Sequence, residues 1–413
     1  MNTSAGASIP TTPLRQDVSV IGLVGLGHMI SHYSQLMLAP LFPWLKDEFN
    51  ASYTELGILI SLFFAVSCIM QAASGFLVDR FGARPILLAG LAVLGLAAFG
   101  FAVSPSYWVL AFFSVIAGVG NGVFHPVDFT LMNRKVSASR LGHAYSAHSI
   151  SGSLGWALAP AMLVPLAILF SWRVALMCAG VLAFVVLAVL WAQRDRLSLP
   201  EPDRSAQMAV ATQEHSMAFL RLPEVWMCFA FFFFYAVVLS VTQVYAPEAA
   251  RQLHGVPVAM AAMCLTVFMV CSAGGMVLGG FLVANPRNCE KVVAVGLGVS
   301  VVLALVMALA PVPAMLVPVL FAVMGFSTGS SSPSRDLLVK RSTPEGSTGR
   351  VYGVVYSGLD IGQAVAPIAF GALMDRQQYQ GIWLGMALAM CLLIASAFNV
   401  GRMRRPGLAG ASA

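Results

Sequence analysis

The sequence predicts an all-α membrane protein: twelve transmembrane helices in two pseudo-symmetric six-helix bundles. Three observations lead there. The chain is a succession of apolar runs of spanning length, one polar stretch interrupts them at mid-chain, and the two halves share motifs at a fixed offset.

The apolar runs come first. Of the 413 residues, 59% are hydrophobic and 10% charged, against about 25% charged in a soluble domain. So few charges cannot clothe a water-facing surface. A spanning helix needs about 20 mostly apolar residues. Twelve runs qualify: 18–43, 55–78, 85–103, 108–132, 144–166, 173–192, 223–249, 258–283, 292–310, 314–339, 351–373 and 381–400. Lipid offers no partners to backbone amides, so runs that do not alternate polar and apolar residues are helices rather than barrel strands. Val18 opens a run too long for a signal-peptide core and reads as a retained first helix.

The interruption covers residues 193–222, where Arg194, Asp195, Arg196, Glu201, Asp203 and Arg204 crowd together with few large apolar groups. It reads as a solvated linker between a bundle at 18–192 and a bundle at 223–400, with tails at 1–17 and 401–413. Eighteen of the 23 lysines and arginines fall on the side shared by the linker and both tails. Four (Lys46, Arg173, Arg251 and Arg376) fall on the other, and Arg335 lies inside a helix. That bias predicts cytoplasmic termini and a cytoplasmic linker, in a membrane of the bacterial inner type. It also accounts for the net charge of +6 without nucleic acid. Six of the seven cysteines lie in apolar runs, and no pair has metal-site spacing, so they read as small buried hydrophobes.

The repeat has an offset of 207 without a gap. Gly118, Gly122, Pro126, Gly155 and Pro160 meet Gly325, Gly329, Pro333, Gly362 and Pro367, and Ala39-Pro40 meets Ala246-Pro247. Two parallel six-helix repeats place a substrate site at the interface between them.

Between the second and third runs stands Gly75-Phe76-Leu77-Val78-Asp79-Arg80-Phe81-Gly82-Ala83-Arg84. Gly75 suits close helix approach, Asp79 a helix cap or an arginine pair, and Gly82 a tight turn. The segment resembles the signature loop of the major facilitator superfamily, with Gly75, Asp79, Arg80, Gly82 and Arg84 at its marked positions. The second copy carries Ala284 in place of the acid. Gly27-His28, Pro40-Leu41-Phe42-Pro43-Trp44, Ser52-Tyr53-Thr54-Glu55 and Phe124-His125-Pro126 resemble the fosmidomycin-resistance branch of efflux carriers. The arginine that many drug:proton antiporters carry in helix 4 would fall near Ser114 and is absent. The resemblance implies the major facilitator fold and a secondary transporter working by alternating access.

Polar groups at membrane depth are costly and so are functional candidates. His28, His32 and Gln35 share one face of helix 1, and Asn121, His125 and Asp128 one face of helix 4. With Tyr235 and Gln243 of helix 7, the histidines, Gln35 and Asn121 are the expected substrate-binding residues. Asp128 aligns with Arg335 under the repeat, which makes the two a candidate gate or static ion pair. Asp360, near the middle of helix 11, is the expected proton-coupling site. His148 of helix 5 reads equally well as a packing histidine.

The expected ligands are a small organic solute, weakly favoured as anionic, and protons; the expected assembly is a lipid-embedded monomer. No cofactor and no metal are expected: there is no phosphate-binding Gly-x-x-x-x-Gly-Lys, and Ser31 rather than glutamate sits between His28 and His32. No nucleophile pairs with a base, so an enzyme is not expected. Proton-coupled efflux leads, with uptake of a small organic acid and a transport-dead sensor as alternatives.

Overall fold

The computed structural model describes residues 13–199, 223–282, 289–342 and 348–403; most of the proposed linker and both chain ends lie outside them. Among the described residues the regular structure is entirely helical. Fifteen α-helices are used below. The first half has α1 (Leu14–Gln35), α2 (Phe42–Phe49), α3 (Tyr53–Phe81), α4 (Ala83–Ala102), α5 (Tyr107–Asn121), α6 (Phe124–Lys135), α7 (Leu141–Leu169) and α8 (Trp172–Ala192). The second has α9 (Pro223–Val244), α10 (Ala246–His254), α11 (Val258–Leu282), α12 (Cys289–Leu309), α13 (Val317–Ser342), α14 (Thr348–Asp375) and α15 (Tyr379–Met403).

Eleven helical segments are long and apolar enough to cross a membrane, α5 and α6 counting as one span. The twelfth expected span is α1. It falls short in hydropathy because it carries Arg15, Asp17, His28, Ser31, His32, Ser34 and Gln35, and most of these are buried. Its polarity is turned inward, away from lipid.

Three expected spans are not single straight helices. The first ends at Gln35, not near residue 43, and after a 3-10 turn at Ala39–Leu41 the chain restarts as α2. The seventh ends at Val244 and restarts as α10. Pro40 and Pro247, at the same place in the repeat, lack the amide hydrogen that would continue either helix. The fourth breaks at Gly122-Val123, just before Pro126.

Helix pairing repeats between the halves. α1 packs on α7 as α9 packs on α14. α4 packs on α8 as α12 packs on α15, and α5 lies between α3 and α4 as α13 lies between α11 and α12. Glycines explain the close approaches. A methyl group on Gly118, Gly122 or Gly155 would strike the carbonyl oxygen of Phe63, Ser67 or Met29. The same addition at Gly325, Gly329 or Gly362 would strike that of Phe268, Ser272 or Phe233. The repeated glycines are contact points between helices.

The halves meet along α3 against α14 and α7 against α11. At the end opposite the start of α1, side chains close the seam. Asp375, the last residue of α14, accepts hydrogen bonds from the Tyr53 and Thr54 amides (2.6 and 2.9 Å) and from the Thr54 hydroxyl (2.6 Å). Tyr245 donates its hydroxyl to the Pro367 and Tyr53 carbonyls (2.8 and 3.0 Å), and Tyr53 donates to Glu248 (2.9 Å). A carboxylate is unfavourable at its own helix's C-terminus and favourable at another's N-terminus, so Asp375 gains by reaching across. Asp375→Ala is expected to weaken the closed state by about 1 kcal/mol, or about fivefold. Spin labels at the exposed positions Asp47 and Gln378 measure this as a larger population of long distances. An unchanged distance distribution rejects the latch.

Candidate functional site

The signature segment is ordinary helix-turn-helix chemistry. α3 ends at Phe81, and Gly82, at φ 86°, makes the turn into α4 that a side chain would strain. Gly75 corrects an expectation: a methyl group there would meet nothing within 4 Å, so no helix among the described residues approaches it closely. Asp79 and Arg80 are exposed. The side-chain latch described above lies at the opposite end of the seam.

The polar centre lies in the first half, between α1, α6 and α7. His28 and His32, one turn apart on α1, are 4.3 Å between ring centroids. His28 stacks on His148 of α7 at 3.5 Å and lies 5.1 Å from His125 of α6. Asp128, one turn beyond His125, is fully buried beneath them. Its Oδ2 is 3.2 Å from His28 Nδ1 and 3.9 Å from His148 Nδ1. The nearer pair attracts but is not aligned for a hydrogen bond: both carboxylate oxygens, His28 Nδ1 and both nitrogens of His148 have no hydrogen-bond partner among the described residues.

Neighbouring residues hold the imidazoles in place. Gly152 leaves room on α7, since a methyl group there would run into the His32 and His28 rings. Trp156, one turn further on, packs its ring 4.2 Å from His32 and donates to Gln35 Oε1 at 2.9 Å. Beside them Ser31 donates to Asn121 Oδ1 at 2.7 Å, and Asn121 donates to Ser67 at 2.8 Å. That chain fixes α1 and α3 against the end of α5, where the fourth span breaks. Within α6, Thr130 donates to the Pro126 carbonyl at 2.7 Å. His125 is only half-buried and Phe129 is exposed, so this side of the cluster is the accessible one.

Among the expected site residues, His28, His32, Gln35, Asn121, His125 and Asp128 therefore come together. His148 and Trp156 belong with them, and the sequence left His148 undecided and Trp156 unnoticed. The available signal was the spacing of His148, Gly152 and Trp156, which share one face of α7. Tyr235 stands apart, half-buried against the cluster that holds Val225 and Phe231. Gln243 lines a cavity at the latched end with Pro40, Phe42, Glu248 and Arg251. Asp360 lies on α14 and interacts with the Cys68 thiol of α3, across the boundary between halves. The Arg335 side chain lies outside the described residues; the described partners of Asp128 are histidines of its own half.

The expectation of no metal meets a candidate cluster in the fold. It rested on spacing along the chain, whereas His28, His125 and His148, from three different helices, bring ligand atoms within 4.8 Å of one another.

A family model described as Major Facilitator Superfamily matches residues 24–367 and 251–411. The chain belongs to the Major Facilitator Superfamily. Within this superfamily of transporters, a relative is the fosmidomycin resistance protein of Escherichia coli K12, 26% identical over 291 residues, 67% of this chain and 68% of that one. The membrane sensor protein UhpC of Escherichia coli K12 is 27% identical over 43% of this chain and 41% of its own length. Among solved structures, a bacterial homologue of the human lysosomal transporter Spinster, inward-facing and occupied, superposes with a TM-score of 0.77. The superposition covers 95% of this chain and 98% of that one at 15% identity. The nucleoside transporter NupG gives 0.74 over 93% and 99%, at 14% identity. Both likenesses speak to the superfamily fold.

Proposed function

We propose that this chain is a secondary active transporter that expels a small organic solute, by preference an anionic one, in exchange for protons. The observation that carries the reading is Asp128, fully buried, flanked by His28 and His148 and lying one turn from the partly buried His125. An isolated buried carboxylate is too costly to keep charged. The carboxylate, with imidazoles on either side of it, is therefore the group that takes up a proton as alternating access changes its contact with water. An imidazole that carries a proton also attracts an anion. Asp360, on the α14 face toward α3, is the second proton site and the one that couples transport to the gradient. The likeness to a drug-resistance protein favours efflux over uptake. The chain acts as a monomer, and an approach of Arg335 to Asp128 belongs to another state of the transport cycle.

Proteoliposomes test this. With an imposed pH gradient, fosmidomycin and a panel of small organic anions are offered, and proton movement is read with an internal pH dye. The expected result is proton flux evoked by at least one solute and opposite in direction to it. Solute flux with no proton flux rejects the coupling.

The basic-residue bias supports cytoplasmic termini and a cytoplasmic linker. Glu201→Cys is expected to resist an impermeant maleimide in intact cells and to react after permeabilisation. Labelling in intact cells reverses the topology.

A further inference from the structure

We propose that His28, His125 and His148, with Asp128, form a binding site for a divalent transition-metal ion of the zinc, cobalt or nickel class. The three imidazoles offer ligand atoms within 4.8 Å of one another, and Asp128 Oδ2 sits 3.2 Å from the first of them. A neutral imidazole presents one donor and one lone pair. Here His28 Nδ1, His32 Nδ1, both nitrogens of His148 and both oxygens of Asp128 are buried without hydrogen-bond partners among the described residues. Buried polar atoms are normally satisfied. Two carboxylate oxygens accept from N–H groups but give nothing to the imidazole lone pairs that converge beside them. A cation accepting one lone pair from each of His28, His125 and His148, together with a carboxylate oxygen of Asp128, pairs the atoms that converge there.

The donor set selects the ion. Three nitrogens and one oxygen suit zinc, cobalt and nickel, whereas magnesium and calcium take oxygen ligands. Metal–nitrogen bonds are about 2.0–2.1 Å, so the ligands must draw together by rotation of their side chains. His125 is the least buried of the three imidazoles. His32 and Trp156 back the site without adding a ligand.

The site shares its residues with the transport reading but does not rest on it, because binding is measured without transport. The full chain, purified in detergent and stripped with chelator, is titrated with Co²⁺. The expected result is visible d–d absorption at one ion per chain, displaced by Zn²⁺ and unaffected by excess Mg²⁺. X-ray absorption of the wild-type Co²⁺ complex is expected to show three imidazole ligands, a readout that needs no variant. His148→Gln and Asp128→Asn are each expected to weaken binding at least tenfold. Combined replacement of His143, His215 and His254 by alanine is expected to leave it unchanged. Absence of stoichiometric Co²⁺ binding overturns the proposal. So does ligation by fewer than two imidazoles, or binding lost only in the triple variant.

Discussion

Asp128→Asn is expected to abolish gradient-driven transport while the protein still folds. The carboxylate is fully buried and within 4 Å of two imidazoles. Asparagine fills nearly the same space but can neither take up a proton nor balance a protonated His28 or His148. Breaking a buried pair by removing one partner costs about 3–5 kcal/mol, so the protonated state of the cluster becomes at least a hundredfold rarer by that order-of-magnitude estimate. Initial rates in proteoliposomes under an imposed pH gradient give the answer, with size-exclusion profiles and thermal melts confirming equal folding. His28→Gln and His148→Gln are expected to impair transport, and each is expected to add little to Asp128→Asn because the three act as one group. Near-normal rates in Asp128→Asn would falsify the role of the cluster.

Asp360→Asn is expected to behave differently: solute binding and exchange persist, while accumulation against a gradient disappears. Asp360 sits where α14 faces α3, a surface on which the halves meet, and its described partner Cys68 belongs to the other half. Rocking the halves changes how much water reaches the carboxylate. Each pKa unit of that difference is worth about 1.4 kcal/mol, so on the proposed reading the movement itself loads and unloads a proton. The measurement is paired: counterflow exchange at equal pH on both sides, and net accumulation under a pH difference. Retained exchange with lost accumulation is the expected outcome. If the variant still accumulates solute in response to pH, Asp360 is not the coupling site and the assignment passes to His28 and His32.

Most of the fold was legible because lipid leaves a chain few options. Runs of spanning length had to be helices, and their ends fall within a few residues of where polarity returns. The breaks at Pro40, Gly122 and Pro247 were harder to read. Each lies inside a run that hydropathy treats as continuous, and only the missing amide of proline or the tight seat of Gly122 against α3 interrupts it. At the site, helical periodicity found the faces bearing His28 with His32 and His125 with Asp128. It did not find their meeting with His148 and Trp156, because contact between helices depends on rotation and depth that a one-dimensional pattern does not carry. Pseudo-symmetry pointed Asp128 across to Arg335, yet its described partners are on its own side. A repeat fixes where a residue stands along the backbone and leaves open what its side chain touches.

The duplicated framework carries unequal chemistry. At the offset of 207, Tyr235, Ser332, Arg335 and Val355 stand where the first half has His28, His125, Asp128 and His148. The hinge prolines and contact glycines were kept in both copies, but the titratable core survives in one. The two halves thus match in their helix breaks and contact points but not in their side-chain chemistry, since the group of histidines around Asp128 has no counterpart at the equivalent positions of the second half. A substitution at one member of an aligned pair therefore need not have the effect of the same substitution at the other, and that freedom is open to a duplicated chain once its copies no longer need to be alike.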